Sequence, residues 1–238
     1  MSRARCLALA GGLGWILSAA SAAGGDPVLA PDVVEVAPAA DDCGESVAAR
    51  VQAYYDDVRN LSANFRQSTQ SVAFGSAAGE AQRAAGKVEF AKPGKMRWTY
   101  TEPEPSEVVS DGSTLWIYDP AAKEVQILQV GEAFLSAAAI QFLLGSGKIL
   151  ETFDVAATDC DASPVHLVLS PREPATYQRL ELDVNPTSGV ILRTLVLDVL
   201  GNRTEVAFDD LQINGALPPE RFVFQVPDGV RELRLDVR

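Results

Sequence analysis

The stretch GKVEFAKPGKMRWTY, residues 86–100, predicts two β-strands that are joined by a tight turn. Apolar and polar residues alternate on both sides of the turn, as in strands that are buried on one face. Within the turn KPGK, proline presets φ and glycine relieves the position that follows. Met96, Trp98 and Tyr100 therefore share one face of the second strand, and Arg97 lies on the other face.

The same period of two continues on both sides of this hairpin. Glycine, proline, asparagine and aspartate separate the alternating segments at hairpin spacing. About eleven short strands joined in this way predict one curved antiparallel sheet in a mainly β (α+β) domain. The predicted strands are 61–70, 86–91, 96–100, 107–110, 114–118, 124–130, 155–158, 165–169, 179–184, 190–200 and 203–214, with 222–226 and 231–237 as further candidates.

Two segments follow a helical period instead. Residues 45–60 place five apolar side chains on one stripe of a helix: Val47, Val51, Tyr54, Tyr55 and Val58. Residues 132–144 are apolar almost all round a helix, and Gly145 and Gly147 end it. One more helical turn is a candidate at 148–153. We expect the concave side of the sheet to cover the apolar surfaces of these helices.

The N-terminus predicts export. Arg3 and Arg5 precede an uncharged run, and Ala20 and Ala22 provide a cleavage site typical of secretory signal peptides. The run is shorter than the roughly 20 apolar residues of a membrane-spanning helix, and no cysteine directly follows it to carry a lipid. The interpretation is a cleaved signal peptide at residues 1–22, a flexible leader at 23–44 and one domain at 45–238.

Charge and cysteine content limit the classes of partner. The formal net charge is −12 at pH 7, which disfavours nucleic acids and anionic lipid surfaces as partners. Cys43 and Cys160 remain after cleavage, and in an oxidising compartment we expect them to form a disulfide. The alternative is a pair of isolated thiols.

The sequence offers little for catalysis or metal binding. His166 is the single histidine, and with two cysteines it cannot complete a four-ligand zinc site. Ser110 beside Asp111 lacks the glycines of a nucleophile elbow. No phosphate-binding loop or calcium loop is present. This inventory favours a binding protein without catalytic residues, metal or cofactor.

Two motifs together resemble the outer-membrane lipoprotein carrier family, LolA. They are GKVEFAKPGKMRWTY and VSDGSTLWIYDP, residues 109–120. The segment LSANFRQ, residues 61–67, is similar to the first strand of that family, and FVFQVPDGV, residues 222–230, is similar to its C-terminal stretch. The resemblance extends from about Glu45 to Val230.

The resemblance implies an unclosed half-barrel whose apolar cavity lies under an N-terminal helix and a mid-chain helical lid. It also implies a monomeric periplasmic carrier without enzymatic activity. Such carriers receive lipoproteins from an inner-membrane ABC transporter and hand their acyl chains to an outer-membrane receptor lipoprotein. The alternatives are a lipid-binding sensor or glycolipid carrier on a related half-barrel, and an exported hydrolase with an unrecognised site.

The predicted acyl-chain cavity combines the helix, the central strands and the lid. Lys92 stands where the family often has an arginine that clasps the lid, and it lacks the planar fork of arginine. Arg97 is the second candidate for the clasp; because it lies opposite Met96 and Trp98, the alternative is a structural role on the convex face. An ordinary filled core would show the same periodicity. The candidate cavity residues are Val51, Tyr54, Tyr55, Val58, Phe65, Val88, Phe90, Met96, Trp98, Tyr100, Phe134, Leu135, Ile140, Phe142 and Leu143.

Overall fold

The computed structural model describes residues 42–72, 81–129 and 147–235. Within these ranges the chain forms helix α1 (Asp42–Asp57), a short helix α2 (Ile149–Thr152) and a 3-10 turn at Pro219–Phe222. The strands are β1 (Asn60–Gln70), β2 (Gln82–Ala91), β3 (Lys95–Glu102), β4 (Ser106–Asp111), β5 (Thr114–Asp119), β6 (Glu124–Gln129), β7 (Phe153–Ala157), β8 (Val165–Pro171), β9 (Tyr177–Val184), β10 (Ile191–Asp198), β11 (Arg203–Ile213) and β12 (Arg231–Leu235).

All twelve of these strands lie in one sheet, in the order β12-β6-β5-β4-β3-β2-β1-β11-β10-β9-β8-β7. The two ends of this order do not pair, so the sheet is open, and the predicted mainly β half-barrel is confirmed. One feature was not predicted. Strand β12 runs parallel to β6, so the sheet is mixed and not wholly antiparallel.

The sheet buries one continuous apolar face, which we call the inner face and define by Met96, Trp98 and Tyr100. Within each strand alternate side chains lie on this face. The pairing register places the inner-face residues of neighbouring strands side by side. In β5 it includes Leu115 and Ile117, which belong to or pack against the same apolar cluster. The opposite side of the sheet, which carries Arg97, is the outer face.

Helix α1 packs on the inner face near β7. Its apolar stripe is buried at Val47, Val51 and Tyr55, and the Tyr55 hydroxyl accepts a hydrogen bond from the backbone N–H of Ile191 (3.3 Å). The backbone N–H of Ile149 in α2 donates to Oε1 of Gln52 in α1 (2.9 Å). In the described ranges, neither helix is long and apolar enough to cross a bilayer.

A disulfide fixes the start of α1. Cys43 lies in the first turn of the helix, and Cys160 lies in the connection between β7 and β8, with 6.3 Å between their Cα atoms. The predicted pairing is confirmed. The link spans 117 residues of sequence and joins the N-terminal helix to the connection that follows β7, the edge strand of the sheet.

The C-terminal segment crosses the outer face. Phe222, in the 3-10 turn, is buried, and the turn contacts β3 and β4. The ring of Phe224 lies 5.2 Å from that of Tyr118. The predicted strand at 222–226 was wrong: among the described strands this segment has no partner, Phe222 is buried against the sheet, and Phe224 is half-buried. A second, smaller apolar layer therefore covers the outer face at β3, β4 and β5.

Candidate functional site

Four aromatic side chains from three neighbouring strands form the centre of the inner face. The ring of Phe65 in β1 lies 4.8 Å from that of Trp98 and 5.1 Å from that of Tyr100, both edge-on. Phe90 meets Trp98 at 5.9 Å, again edge-on. Edge-to-face pairs contribute about 0.5–1.5 kcal/mol each beyond the area that they bury. This aromatic cluster is thus a well-ordered apolar wall.

Gly86 allows rings from β1 and β3 to meet across the strand between them. It pairs with Phe65 on one side and with Tyr100 on the other. A Cβ atom at Gly86 would lie only 2.0 Å from the carbonyl oxygen of Thr99. A register shift between Ala85 and Gly86 accompanies this close approach. Only glycine fits at this position. The rings of its two paired residues, Phe65 and Tyr100, meet across it.

The inner face becomes polar towards the C-terminal end of β1. Gln67 is 4% exposed. Its Nε2 donates to Oγ1 of Thr69 (3.2 Å), and its Oε1 accepts from the hydroxyl of Tyr100 (3.4 Å). Burial raises the pKa of Tyr100, so its hydroxyl stays protonated and able to donate. Gln67 was not among the predicted site residues, although its place in the alternation of β1 could have marked it.

Lys92 ties the β2–β3 turn to the end of α1. Its Nζ donates to the carbonyl of Tyr55, and its backbone N–H donates to the carbonyl of Arg59 (2.9 Å). Burial lowers the pKa of Lys92, while Asp56 and Asp57 act in the opposite direction. A cation at this position also complements the negative end of the helix dipole. In the structure Lys92 therefore clasps α1, and its predicted role in holding a lid stays a prediction.

Arg97 lies on the outer face, opposite the aromatic cluster. Its Nη1 donates to the carbonyl of Arg221 (2.9 Å), and its Nη2 bonds Glu107. Arg221 in turn binds the buried carboxylate of Glu89, with Nε 3.0 Å from Oε2. Burial would raise the pKa of Glu89, but the hydrogen bonds from Arg221 and Lys87 outweigh it and lower the pKa. Arg97 thus fastens the C-terminal turn to the sheet.

The single histidine belongs to an ion-pair network on the outer face of β8–β11. His166 Nδ1 lies 2.8 Å from Oδ1 of Asp183, and its Nε2 lies 3.5 Å from Oε2 of Glu181. Arg193 bridges Asp183 and Glu205. Burial would raise the pKa of Asp183, but Arg193 and His166 lower it. In the described part of the chain, no group of His, Cys, Asp and Glu is arranged to hold a metal ion.

Most predicted cavity residues meet in one apolar cluster. Tyr54 packs beside this cluster, half-buried, and five other candidates (Phe134, Leu135, Ile140, Phe142 and Leu143) lie outside the described residues, as does the whole predicted lid. That the cluster binds acyl chains stays a prediction. Its buried members from the predicted set are Val51, Tyr55, Val58, Phe65, Val88, Phe90, Met96, Trp98 and Tyr100.

Comparison with known proteins matches residues 56–225 to the model of a family described as outer membrane lipoprotein carrier protein LolA. The outer-membrane lipoprotein carrier protein of Chromobacterium violaceum is 32% identical over 186 residues, covering 78% of this chain and 86% of that protein. The protein of the same name from Alkalilimnicola ehrlichii is 31% identical over 178 residues, covering 74% of this chain and 78% of its own.

A solved structure supports the fold independently. An uncharacterized conserved protein from Thermus thermophilus superimposes with a TM-score of 0.51 at 12% identity. The superposition covers 80% of this chain and 98% of that one.

Proposed function

Because the chain belongs to the LolA family of outer membrane lipoprotein carrier proteins, we propose that it carries lipoproteins by sheltering their acyl chains on its inner face. The single observation that carries this proposal beyond the family is the aromatic cluster of Phe65, Phe90, Trp98 and Tyr100. It forms a continuous apolar wall, buried in the structure, on the inner face of a sheet that does not close on itself.

Burial of hydrocarbon supplies the binding free energy. Each methylene removed from water contributes about 0.8 kcal/mol, so a long acyl chain binds strongly to such a wall. A carrier must also release its cargo, and release requires a competing apolar surface. The predicted helix at 132–144 is our candidate for that competitor: cargo displaces it, and its return expels cargo.

We also propose where the carrier acts and which proteins it exchanges cargo with. The carrier acts in the periplasm, receives cargo from an inner-membrane ABC transporter and delivers it to an outer-membrane receptor lipoprotein. The Cys43–Cys160 disulfide supports this location, since disulfides persist in oxidising compartments and are rare in reducing ones. The signal-peptide pattern at residues 1–22 supports it too.

The inner face is tested by Trp98→Glu. A carboxylate there would have to be buried against apolar side chains, so we expect at least a tenfold weaker affinity for a triacylated cysteine peptide. Isothermal titration calorimetry with the peptide measures binding, because its signal does not depend on the tryptophan that is replaced. The matched control is Trp116→Glu: Trp116 pairs with Val109 and Ile127 on the outer face.

Both variants are first checked for folding by circular dichroism. If Trp98→Glu and Trp116→Glu bind the peptide equally well, the inner face is not the binding surface. Mass spectrometry of lipids and lipoproteins that co-purify with the exported protein provides the second test. Recovery of the protein without any acylated species, in a host that makes lipoproteins, would contradict the proposed cargo.

A further inference from the structure

The inner face carries a polar end that an ordinary apolar core does not need. Along β1 the inner-face residues are apolar from Leu61 to Phe65, and then polar at Gln67 and Thr69. The neighbouring strands continue this change, because Thr69 pairs with Thr204 in β11 and with Gln82 in β2. The polar end therefore spans three strands at one rim of the sheet.

Gln67 lies where this polar end meets the aromatic cluster. Its cross-strand neighbours are Val206 and Ala84, and the ring of Phe65 lies two residues before it on the same face. At 4% exposure its amide is shielded from water, and burial of an amide among apolar groups is costly unless its hydrogen bonds are made. An aliphatic residue would serve a closed core better at this position.

The amide of Gln67 keeps hydrogen-bonding capacity for a ligand. A glutamine side chain has two N–H donors and an oxygen that accepts twice. Among the described residues, Nε2 makes one bond, to Thr69, and Oε1 accepts one, from Tyr100 at 3.4 Å. The bond from the Tyr100 hydroxyl to Oε1 is long for a hydrogen bond between two oxygens, which are ordinarily about 2.7–2.8 Å apart. The Tyr100 hydroxyl can therefore turn to another acceptor at little cost.

The apolar wall is long enough for this placement. From Leu61 to Gln67 the strand rises roughly 20 Å at about 3.3 Å per residue. An acyl chain in one leaflet occupies about 15 Å, half of the hydrocarbon thickness of a bilayer. A chain whose carbonyl lies at Gln67 therefore fits along β1, with its methyl end short of Leu61.

We propose that Gln67 binds the carbonyl groups that join the acyl chains to the rest of the cargo, with the Tyr100 hydroxyl as a second donor. This subsite rests on the proposed function and deepens it. The apolar wall binds any hydrocarbon chain, and Gln67 selects chains that end in an ester or amide carbonyl. The carrier is thereby selective for acyl groups over plain alkyl groups.

The test compares two peptides with identical chain lengths. One carries diacylglyceryl ester groups, and the other is the dialkyl ether analogue, which lacks both carbonyls. We expect the wild-type protein to bind the ester peptide about three- to tenfold more tightly, the worth of one neutral hydrogen bond. Gln67→Met keeps the volume and removes the amide, so it should remove most of this preference and leave ether affinity within about twofold.

Two further variants complete the design. Gln70→Met makes the same substitution on the same strand, at an exposed residue of the outer face, and should keep the preference. Tyr100→Phe keeps the aromatic ring and removes the hydroxyl; it should reduce the preference in part, and it tests the subsite even if Gln67→Met does not fold.

The outcomes separate the subsite from the carrier function. A wild-type protein that binds ester and ether peptides equally, or a Gln67→Met variant that keeps the preference, overturns the subsite and leaves the carrier proposal intact. An equal loss for both peptides in Gln67→Met shows a structural role only, and also overturns it. A wild-type protein that binds neither peptide overturns the proposed function itself.

Discussion

At the residue scale, Gly86 shows that a residue without a side chain can let aromatic rings from two other strands meet. Its neighbours on β1 and β3 carry the aromatic rings, and no Cβ atom at Gly86 stands between them. The alternation of Met96, Trp98 and Tyr100 could be predicted from sequence because it is local. The roles of Gly86 and Lys92 could not, since each depends on contacts with residues far away in the chain: Phe65 for Gly86 and Tyr55 for Lys92.

The residue-scale prediction concerns Gly86→Val. The added side chain would collide with the Thr99 carbonyl and force β2 and β3 apart, so we expect a loss of about 2 kcal/mol or more in the free energy of unfolding. Urea denaturation measures it. Gly215→Val is the control, because no atom lies within 4 Å of a Cβ built there. Equal stability of the two variants would refute the steric argument.

At the element scale, the 3-10 turn at Pro219–Phe222 depends on an ion pair between the buried Glu89 and the partly exposed Arg221, which are 132 positions apart in sequence. The Glu89 side chain is 3% exposed and that of Arg221 is 41% exposed. Loss of the guanidinium would leave a buried carboxylate with Lys87 as its remaining charged partner. The carboxylate cannot leave the sheet, because β2 is paired on both sides.

We therefore expect Arg221→Met to lower the free energy of unfolding at pH 7 by about 2 kcal/mol. The folded-state pKa of Glu89 is below its ordinary value of 4.5, so its contribution to stability is present above that pH and is lost as the pH falls. The gap between wild type and variant should thus narrow below pH 4.5 in urea titrations.

The control for this prediction is Arg66→Met. Arg66 pairs with Asp209 at 2.7 Å, but its side chain is 69% exposed, and exposed pairs contribute about 0–1 kcal/mol. If the two substitutions have the same effect at pH 7, or if the gap for Arg221→Met does not change with pH, the Glu89–Arg221 pair does not hold the turn.

Most elements could be predicted from the period of the sequence. Strands β1–β11 follow alternation and turn residues, and the extra helical turn near residue 149 follows the predicted segment 148–153. Residues 222–226 were wrongly predicted as a strand, because aromatic residues at alternate positions occur both in strands and in extended chain that packs on a sheet. The parallel pairing of β12 was beyond prediction, since local periodicity carries no information about the partner of a strand.

At the scale of the whole molecule, one covalent link joins the helix that covers the inner face to the edge of the sheet. In the chain-entropy model, a loop of 117 residues gives a stabilisation of about 4–5 kcal/mol. We expect the double variant Cys43→Ser, Cys160→Ser to lose most of this amount. Urea denaturation with and without reductant measures the loss.

The reduced wild-type protein is the matched control, because it lacks the link but keeps both sulfur atoms. It should unfold at the same urea concentration as the double variant. Mass spectrometry without reduction should show the two cysteine peptides joined. Free thiols that react with iodoacetamide in the native protein would contradict the pairing.

The central pairing of β1 with β11 also sets the order in which the molecule can form. Asn64 and Asp210, which bond across it, are 146 residues apart, so the middle of the sheet joins the two ends of the chain. Contacts this distant in sequence form slowly, because a long loop must close first. A chain emerging from a ribosome cannot complete its sheet until β11 has been made. For a carrier that is exported, as proposed, this delay is useful: the sheet stays incomplete, and the chain easier to thread through a translocation channel, until β11 has been synthesised.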